Sequence, residues 1–278
     1  MNLASPKTVK ELLEKYSLAP LKRYGQNFLI DGNIADKIAK AAVPKGAFAL
    51  EIGPGLGALT QRLLERCSMV AAYEIDSGLV RSLNETFEGE TNFKLFHEDF
   101  LKADIQNEIK QLTTGEIYVA ANLPYYITTD CVMKLICSGL GIKAITLMVQ
   151  TEFAEKMLAP PGSAQYGMLS AIVEYFASVE ALFDVAPSCF YPKPHVSSSV
   201  VRLEMKEVDF EYAKKYMLVL KSLYSARRKT VKSNLRRALG LTAEQAETVL
   251  KSAEIDDNAR AETLSAADVQ RIVKSCNL

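Results

Sequence analysis

The sequence predicts an α/β protein, with a mainly parallel sheet buried on both faces, followed by a small all-α C-terminal domain. Three observations carry this. Before Lys206, short apolar runs recur between segments of helical period, the rhythm of β-α-β units. After Lys206 no strand-like run remains and the apolar spacing is helical throughout. The 278 residues suffice for a medium domain plus a small one, and 49% apolar with 24% charged residues is ordinary globular composition.

The elements follow in order. Ser5-Pro6 leads into Val9, Leu12, Leu13 and Tyr16, a capped amphipathic helix with proline in its first turn. Pro20 to Gly32 reads as loop, and Ile34, Ile38, Ala41 and Ala42 resume helical spacing. Strand runs follow at Ala47–Ile52, Met69–Tyr73, Phe93–Phe96, Ile117–Ala121 and Ala144–Val149. Ser178–Ala186 and Ser199–Met205 read as two more strands around a proline-rich loop, Pro187–Pro194, and a hairpin there would give the sheet an antiparallel edge. Phe210, Met217, Leu220, Leu223 and Tyr224 then mark a helix, as do Val231, Leu235 and Leu239. Ala246, Val249 and Leu250, and finally Val269 and Ile272, continue the pattern. The expected domains are 1–205 and 206–278.

Composition excludes several classes. The longest apolar stretches fall far short of the roughly 20 residues of a membrane helix. Met1–Tyr16 holds no apolar signal core. Five cysteines without a CxxC pair suggest neither a disulfide framework nor a zinc knuckle, and with two histidines no metal site is expected. A cytoplasmic, reduced protein is the expectation, and a monomer. Basic and acidic residues balance at 33 each, yet Tyr212–Ala243 carries nine basic residues and no acidic one. A concentrated basic segment in a neutral chain suits a negative partner that docks locally.

Glu51-Ile52-Gly53-Pro54-Gly55-Leu56-Gly57 follows a strand and opens a helix, and its small residues let a backbone pass close to a ligand. The spacing is neither GxGxxG nor that of a phosphate loop. Glu74, in Tyr73-Glu74-Ile75-Asp76, ends the next strand, where a carboxylate is placed to accept from two ribose hydroxyls. Asp99-Phe100 follows the third run, where a carboxylate can accept from the exocyclic amine of adenine; alone it would be an ordinary turn residue. Asn122-Leu123-Pro124-Tyr125 leaves the fourth run and is the most specific item in the chain. The lone pair of adenine N6 is delocalised into its ring. A side-chain amide oxygen (Asn122) and a backbone carbonyl (Leu123) can accept its protons and hold the lone pair toward an electrophilic methyl. Pro124 stiffens the turn that aims the carbonyl, and Tyr125 offers a face on which an extruded base stacks.

The order of these motifs resembles the class I S-adenosylmethionine-dependent methyltransferases, adenine-N6 branch. Three further stretches narrow the resemblance: Gly25–Leu29, Phe190–Ser198 and Arg227–Leu235. Together they resemble, along essentially the whole chain, the bacterial small-subunit (16S) rRNA adenine N6,N6-dimethyltransferase family of the KsgA type. The resemblance implies a Rossmann-like fold with a seven-stranded sheet, S-adenosylmethionine as cofactor and no metal. It implies that Asn27 and Leu29 close over the cofactor, that Gly53 contacts its methionine part, Glu74 its ribose and Asp99 its adenine. Asn122 would span cofactor and base, and Phe190 would form the second wall of the base pocket opposite Tyr125. The chain departs from the family at Tyr191-Pro192-Lys193-Pro194-His195, where Pro-Pro-Pro-Lys is usual after the phenylalanine, and at Met168, where arginine is usual.

The implied reaction is in-line displacement at the sulfonium methyl by adenine N6, twice, giving dimethyladenine in small-subunit rRNA or a pre-ribosomal small subunit. Arg228, Lys232 and Arg236 recur at helical spacing on one stripe, with Val231, Leu235 and Leu239 facing away. With Arg227 and Lys229 they suit phosphate contacts, and Lys22 and Arg23 would extend the track to the active-site mouth. The related large-subunit methyltransferases, a catalytically silent RNA-binding factor and a DNA adenine methyltransferase are the alternatives. The first usually carry Asn-Ile-Pro in place of Asn-Leu-Pro, and the second would be expected to lose the tetrad.

Overall fold

The computed structural model describes residues 1–18, 26–226 and 228–276, with Tyr125 described through its backbone alone. In chain order the elements are α1 (Pro6–Lys15), β1 (Phe28–Leu29), α2 (Gly32–Ala42), β2 (Phe48–Ile52), α3 (Ala58–Leu64), β3 (Met69–Glu74) and α4 (Ser77–Thr86). There follow β4 (Phe93–His97), α5 (Ile105–Lys110), β5 (Ile117–Asn122), α6 (Thr128–Ile136), β6 (Ile142–Gln150), α7 (Thr151–Leu158) and α8 (Met168–Phe176). The last are β7 (Ala177–Val185), β8 (Phe190–Tyr191), β9 (Ser198–Met205), α9 (Phe210–Leu223), α10 (Val231–Leu239), α11 (Ala243–Ser252) and α12 (Ala266–Ser275).

The chain folds into two compact units, Met1–Ala154 with Glu180–Met205, and Glu155–Val179 with Lys206–Leu278. It thus crosses between them three times, where the sequence suggests one break near 206. The reason lies in α8. Its residues Met-Leu-Ser-Ala-Ile-Val-Glu-Tyr-Phe are apolar nearly all round, and such a helix needs cover on several sides. It finds that cover against α9 and α12: the Tyr175 and Tyr216 rings stack at 3.8 Å, and Tyr216 donates its hydroxyl proton to Ala171 O at 2.9 Å. Within the same unit, buried Asn234 on α10 donates to Leu223 O and Ala226 O at the end of α9. Thr242 and Ser265 cap α11 and α12, each in a reciprocal box with the residue three places on.

The first unit is built on a seven-stranded sheet of order β4-β3-β2-β5-β6-β9-β7. The pairs β4·β3, β3·β2, β2·β5 and β5·β6 are parallel, and β9 lies antiparallel to β6. This is the α/β architecture, with an antiparallel strand toward one edge, that the apolar runs predict. Every residue of β2 is buried and β6 nearly so, as expected of strands covered on both faces, whereas the edge strand β4 is largely half-exposed. The strands add outward from β2 through β3 to β4, and then β5 joins on the other flank of β2. That reversal opens a crevice at the carboxyl ends of β2 and β5.

One pairing is absent from the sequence-based expectation. Phe28 and Leu29, within the loop-like stretch, pair antiparallel with Tyr191 and Phe190, and Ile30 N donates to Cys189 O at 2.8 Å. Two residues are too few to show a period in sequence.

Candidate active site

The crevice holds a cavity of about 360 Å³. Its lining includes Asn27, Leu29, Gly53, Glu74, Asp99, Asn122, Leu123 and Pro124. The tertiary fold thus brings together, from four strand ends and the β1 segment, residues spread over nearly a hundred positions of sequence.

The floor is the glycine bend after β2. Gly53, Gly55 and Gly57 all have positive φ, between 61° and 87°. At Gly57, the N-cap of α3, space is a second constraint: a Cβ would lie 2.8 Å from the Phe87 ring and 3.2 Å from Leu3. The chain turns here only because no side chain is present.

Glu74 ends β3 and is 5% exposed. Its Oε2 accepts from Gly55 N at 3.2 Å and its Oε1 from Asp76 N at 3.0 Å. Burial pushes its carboxyl up to about 7, opposed by the Asp76 and Gly55 amides, which favour the charged form. Asp99 accepts from Leu101 N through Oδ1, and its Oδ2 faces Lys102 at 3.7 Å.

Asn122 closes β5, and its Nδ2 donates to Asn27 O at 3.2 Å. The turn that follows is tied both to β6 and to itself: Leu123 N donates to Met148 O, while Ile127 N and the Thr128 hydroxyl both donate to Pro124 O. A short 3-10 helix, Tyr125–Ile127, continues it.

Among the lining residues without a role in the sequence reading are Glu51, Tyr126 and Ile75. Glu51 is 1% exposed, and its Oε2 has no hydrogen-bond partner among the described residues. Burial pushes its carboxyl up to about 8; the nearby Thr60 hydroxyl works the other way, and the Glu74 charge adds to the rise. The available signal was a lone glutamate in an otherwise apolar strand. Tyr126 and Ile75 also line the cavity although both are substantially exposed, which places them at its mouth.

Other expected site residues lie elsewhere. Phe190 is 3% exposed and packs in the core with Leu29, Ala4 and Val185, not in the cavity lining. Its partner strand β1 draws it inward. Arg228, Lys229 and Arg236 are exposed in the helical unit. Lys232 is not free for phosphate, because Glu247 and Asp257 hold its ammonium. Those carboxylates stand beyond the acid-free window, so local charge counting misses them. Lys22, Arg23 and Arg227 lie outside the described residues. Among the described residues no group of three or more His, Cys, Asp or Glu is arranged to hold a metal, and no helix is long and apolar enough to cross a membrane.

Comparison with known proteins agrees with this geometry. A curated relative from Anoxybacillus flavithermus, "Ribosomal RNA small subunit methyltransferase A", is 40% identical, the match covering 96% of this chain and 94% of that protein. The crystal structure of a dimethyladenosine transferase from Plasmodium falciparum superposes with a TM-score of 0.75 at 27% identity, covering 90% of this chain and 97% of that one. A 23S rRNA methyltransferase, ErmE, shares the fold at a TM-score of 0.67 and 24% identity, over 91% of this chain and all of that one. A family model described as "Ribosomal RNA adenine dimethylase" matches residues 20–278, and the chain belongs to that family.

Proposed function

We propose that this chain transfers methyl groups from S-adenosylmethionine to N6 of adenines in small-subunit rRNA, giving N6,N6-dimethyladenosine during ribosome biogenesis. The observation that carries the reading is the convergence of Gly53, Glu74, Asp99 and Asn122 on one cavity at the strand-order reversal. The cavity also fits the cofactor. It combines a glycine bend whose positive φ at Gly53 and Gly55 leaves backbone bare along the cavity, a carboxylate at the end of β3 and a buried Glu51 oxygen, without a partner among the described residues, suited to a positive group. Gly53 and Glu51 would hold the methionine part, Glu74 the ribose and Asp99 the adenine, with Asn27 and Leu29 alongside.

When bound, S-adenosylmethionine supplies an electrophilic methyl on a sulfonium that is already a good leaving group. What remains for the protein is alignment and electrostatic preorganisation. Asn122 Oδ1 and Leu123 O accept the two N6 protons of the target adenine and turn its lone pair toward the methyl. Pro124 holds the turn that aims the Leu123 carbonyl, and the stacking role expected of Tyr125 falls on a side chain outside the described residues. A strong general base is not required, because the N6 proton becomes acidic once the nitrogen is methylated. Arg228, Lys229 and Arg236 contact phosphates in the unpaired or structured RNA around the target. The enzyme acts in the cytoplasm, as a monomer, on the rRNA or on a pre-ribosomal small subunit.

The test is incubation with undermethylated small subunits, naked large subunits in parallel, and labelled cofactor, followed by nucleoside analysis. Labelled N6,N6-dimethyladenosine from small subunits alone is expected, and its loss in Asn122→Ala with cofactor affinity retained. Labelling of large subunits instead, or an active Asn122→Ala enzyme, refutes the assignment.

A further inference from the structure

The Asn122 amide nitrogen lies 3.2 Å from Asn27 O, a contact between residues 95 positions apart. A carbonyl oxygen only accepts, so the group facing it must be the NH2 end of the carboxamide. We infer that Asn27, through its main-chain carbonyl, is a positioning residue for methyl transfer: it holds Asn122 Nδ2 so that Oδ1 is presented to the target amine. This rests on the function proposed above. An unanchored carboxamide samples two orientations related by a flip, and one of them presents donors to an amine whose protons need acceptors. Anchoring Nδ2 removes that unproductive orientation before the base arrives.

The anchor is itself held. Asn27 directly precedes β1, whose Phe28 and Leu29 pair with Tyr191 and Phe190. Ile30 N then donates to Cys189 O, and Leu29 and Phe190 are both buried. The two-residue ladder thus gives Asn27 O a fixed place beside the end of β5. It also gives Phe190 an indirect part in the chemistry, through β1, from its place in the core.

The test is Asn122→Asp in the full chain, compared with wild type on undermethylated small subunits at about pH 8, where an aspartate of ordinary pKa is ionised. Aspartate keeps the acceptors but, once ionised, cannot donate to Asn27 O and is repelled by it. We expect its kcat to fall about a hundredfold, the usual cost of a misaligned reacting group, with KM for S-adenosylmethionine little changed.

A variant whose kcat stays within about threefold of wild type, far short of the roughly hundredfold cost of misalignment, overturns the inference. A second measurement needs no variant to fold: in nitrogen-edited spectra of the wild-type protein, one Asn122 amide proton should exchange slowly and lie downfield. Exchange of both at free-carboxamide rates also overturns it. Wild type that makes no dimethyladenosine refutes the proposed function and this inference with it. An active wild type beside an unimpaired aspartate variant removes the inference alone.

Discussion

The carboxylate of Glu74 and the backbone amide of Gly55 are joined by a hydrogen bond of 3.2 Å, across the gap between two parallel strands. One side chain therefore braces the glycine bend and also faces the cavity. Because the Glu74 oxygens already have backbone donors, its position is set before any ligand binds.

Glu74→Gln should weaken S-adenosylmethionine binding by about tenfold, the scale of one charge-assisted hydrogen bond. Isothermal titration measures it, and an unchanged affinity would show that Glu74 serves only as a brace.

The buried carboxyls predict an unusual pH dependence. Glu51 near 8 and Glu74 near 7 both stand above the ordinary 4.5. A carboxyl whose folded pKa is raised binds more protons folded than unfolded, so its contribution to stability falls as pH rises from about 4.5 through its folded value. The thermal midpoint of the cofactor-free protein should therefore drop between about pH 5 and about pH 8, and Glu51→Gln should flatten the drop. Scanning calorimetry across that range is the check.

Gly57→Ala should cost about 2 kcal/mol or more, combining left-handed backbone strain with the contact against Phe87. Gly46→Ala is the control, since it shares the positive φ but meets nothing within 4 Å. The difference between the two in urea unfolding isolates the contacts with Phe87 and Leu3.

Phe190→Ala should destabilise the protein by about 3 kcal/mol, as truncation of a buried aromatic does. Denaturant titration measures this. A residue that only walled the base pocket would instead lose activity at unchanged stability.

In the helical unit, Arg236 and Lys232 should behave differently although they stand four residues apart. Arg236→Gln should lower the slope of log affinity for small subunits against log salt by about one. Lys232→Gln, whose ammonium is already paired and partly exposed, should leave that slope unchanged and alter stability little. Filter binding at several salt concentrations separates them.

Much of this protein was legible residue by residue. The apolar runs marked all seven strands of the main sheet, and the motifs at the ends of β2, β3, β4 and β5 marked the cavity. Both are local signals, since burial on both faces makes a strand uniformly apolar and a strand end needs its functional residue at a set place. Three features depended on distant parts of the chain. Lys232 was neutralised by carboxylates 15 and 25 residues away, Phe190 was drawn into the core by a two-residue ladder, and α8 joined the helical unit because its apolar faces found cover there. The orientation of the Asn122 amide belongs with them. A carboxamide reads the same in sequence whichever way it points, and only the carbonyl of Asn27, folded against it, selects the end that faces the cavity.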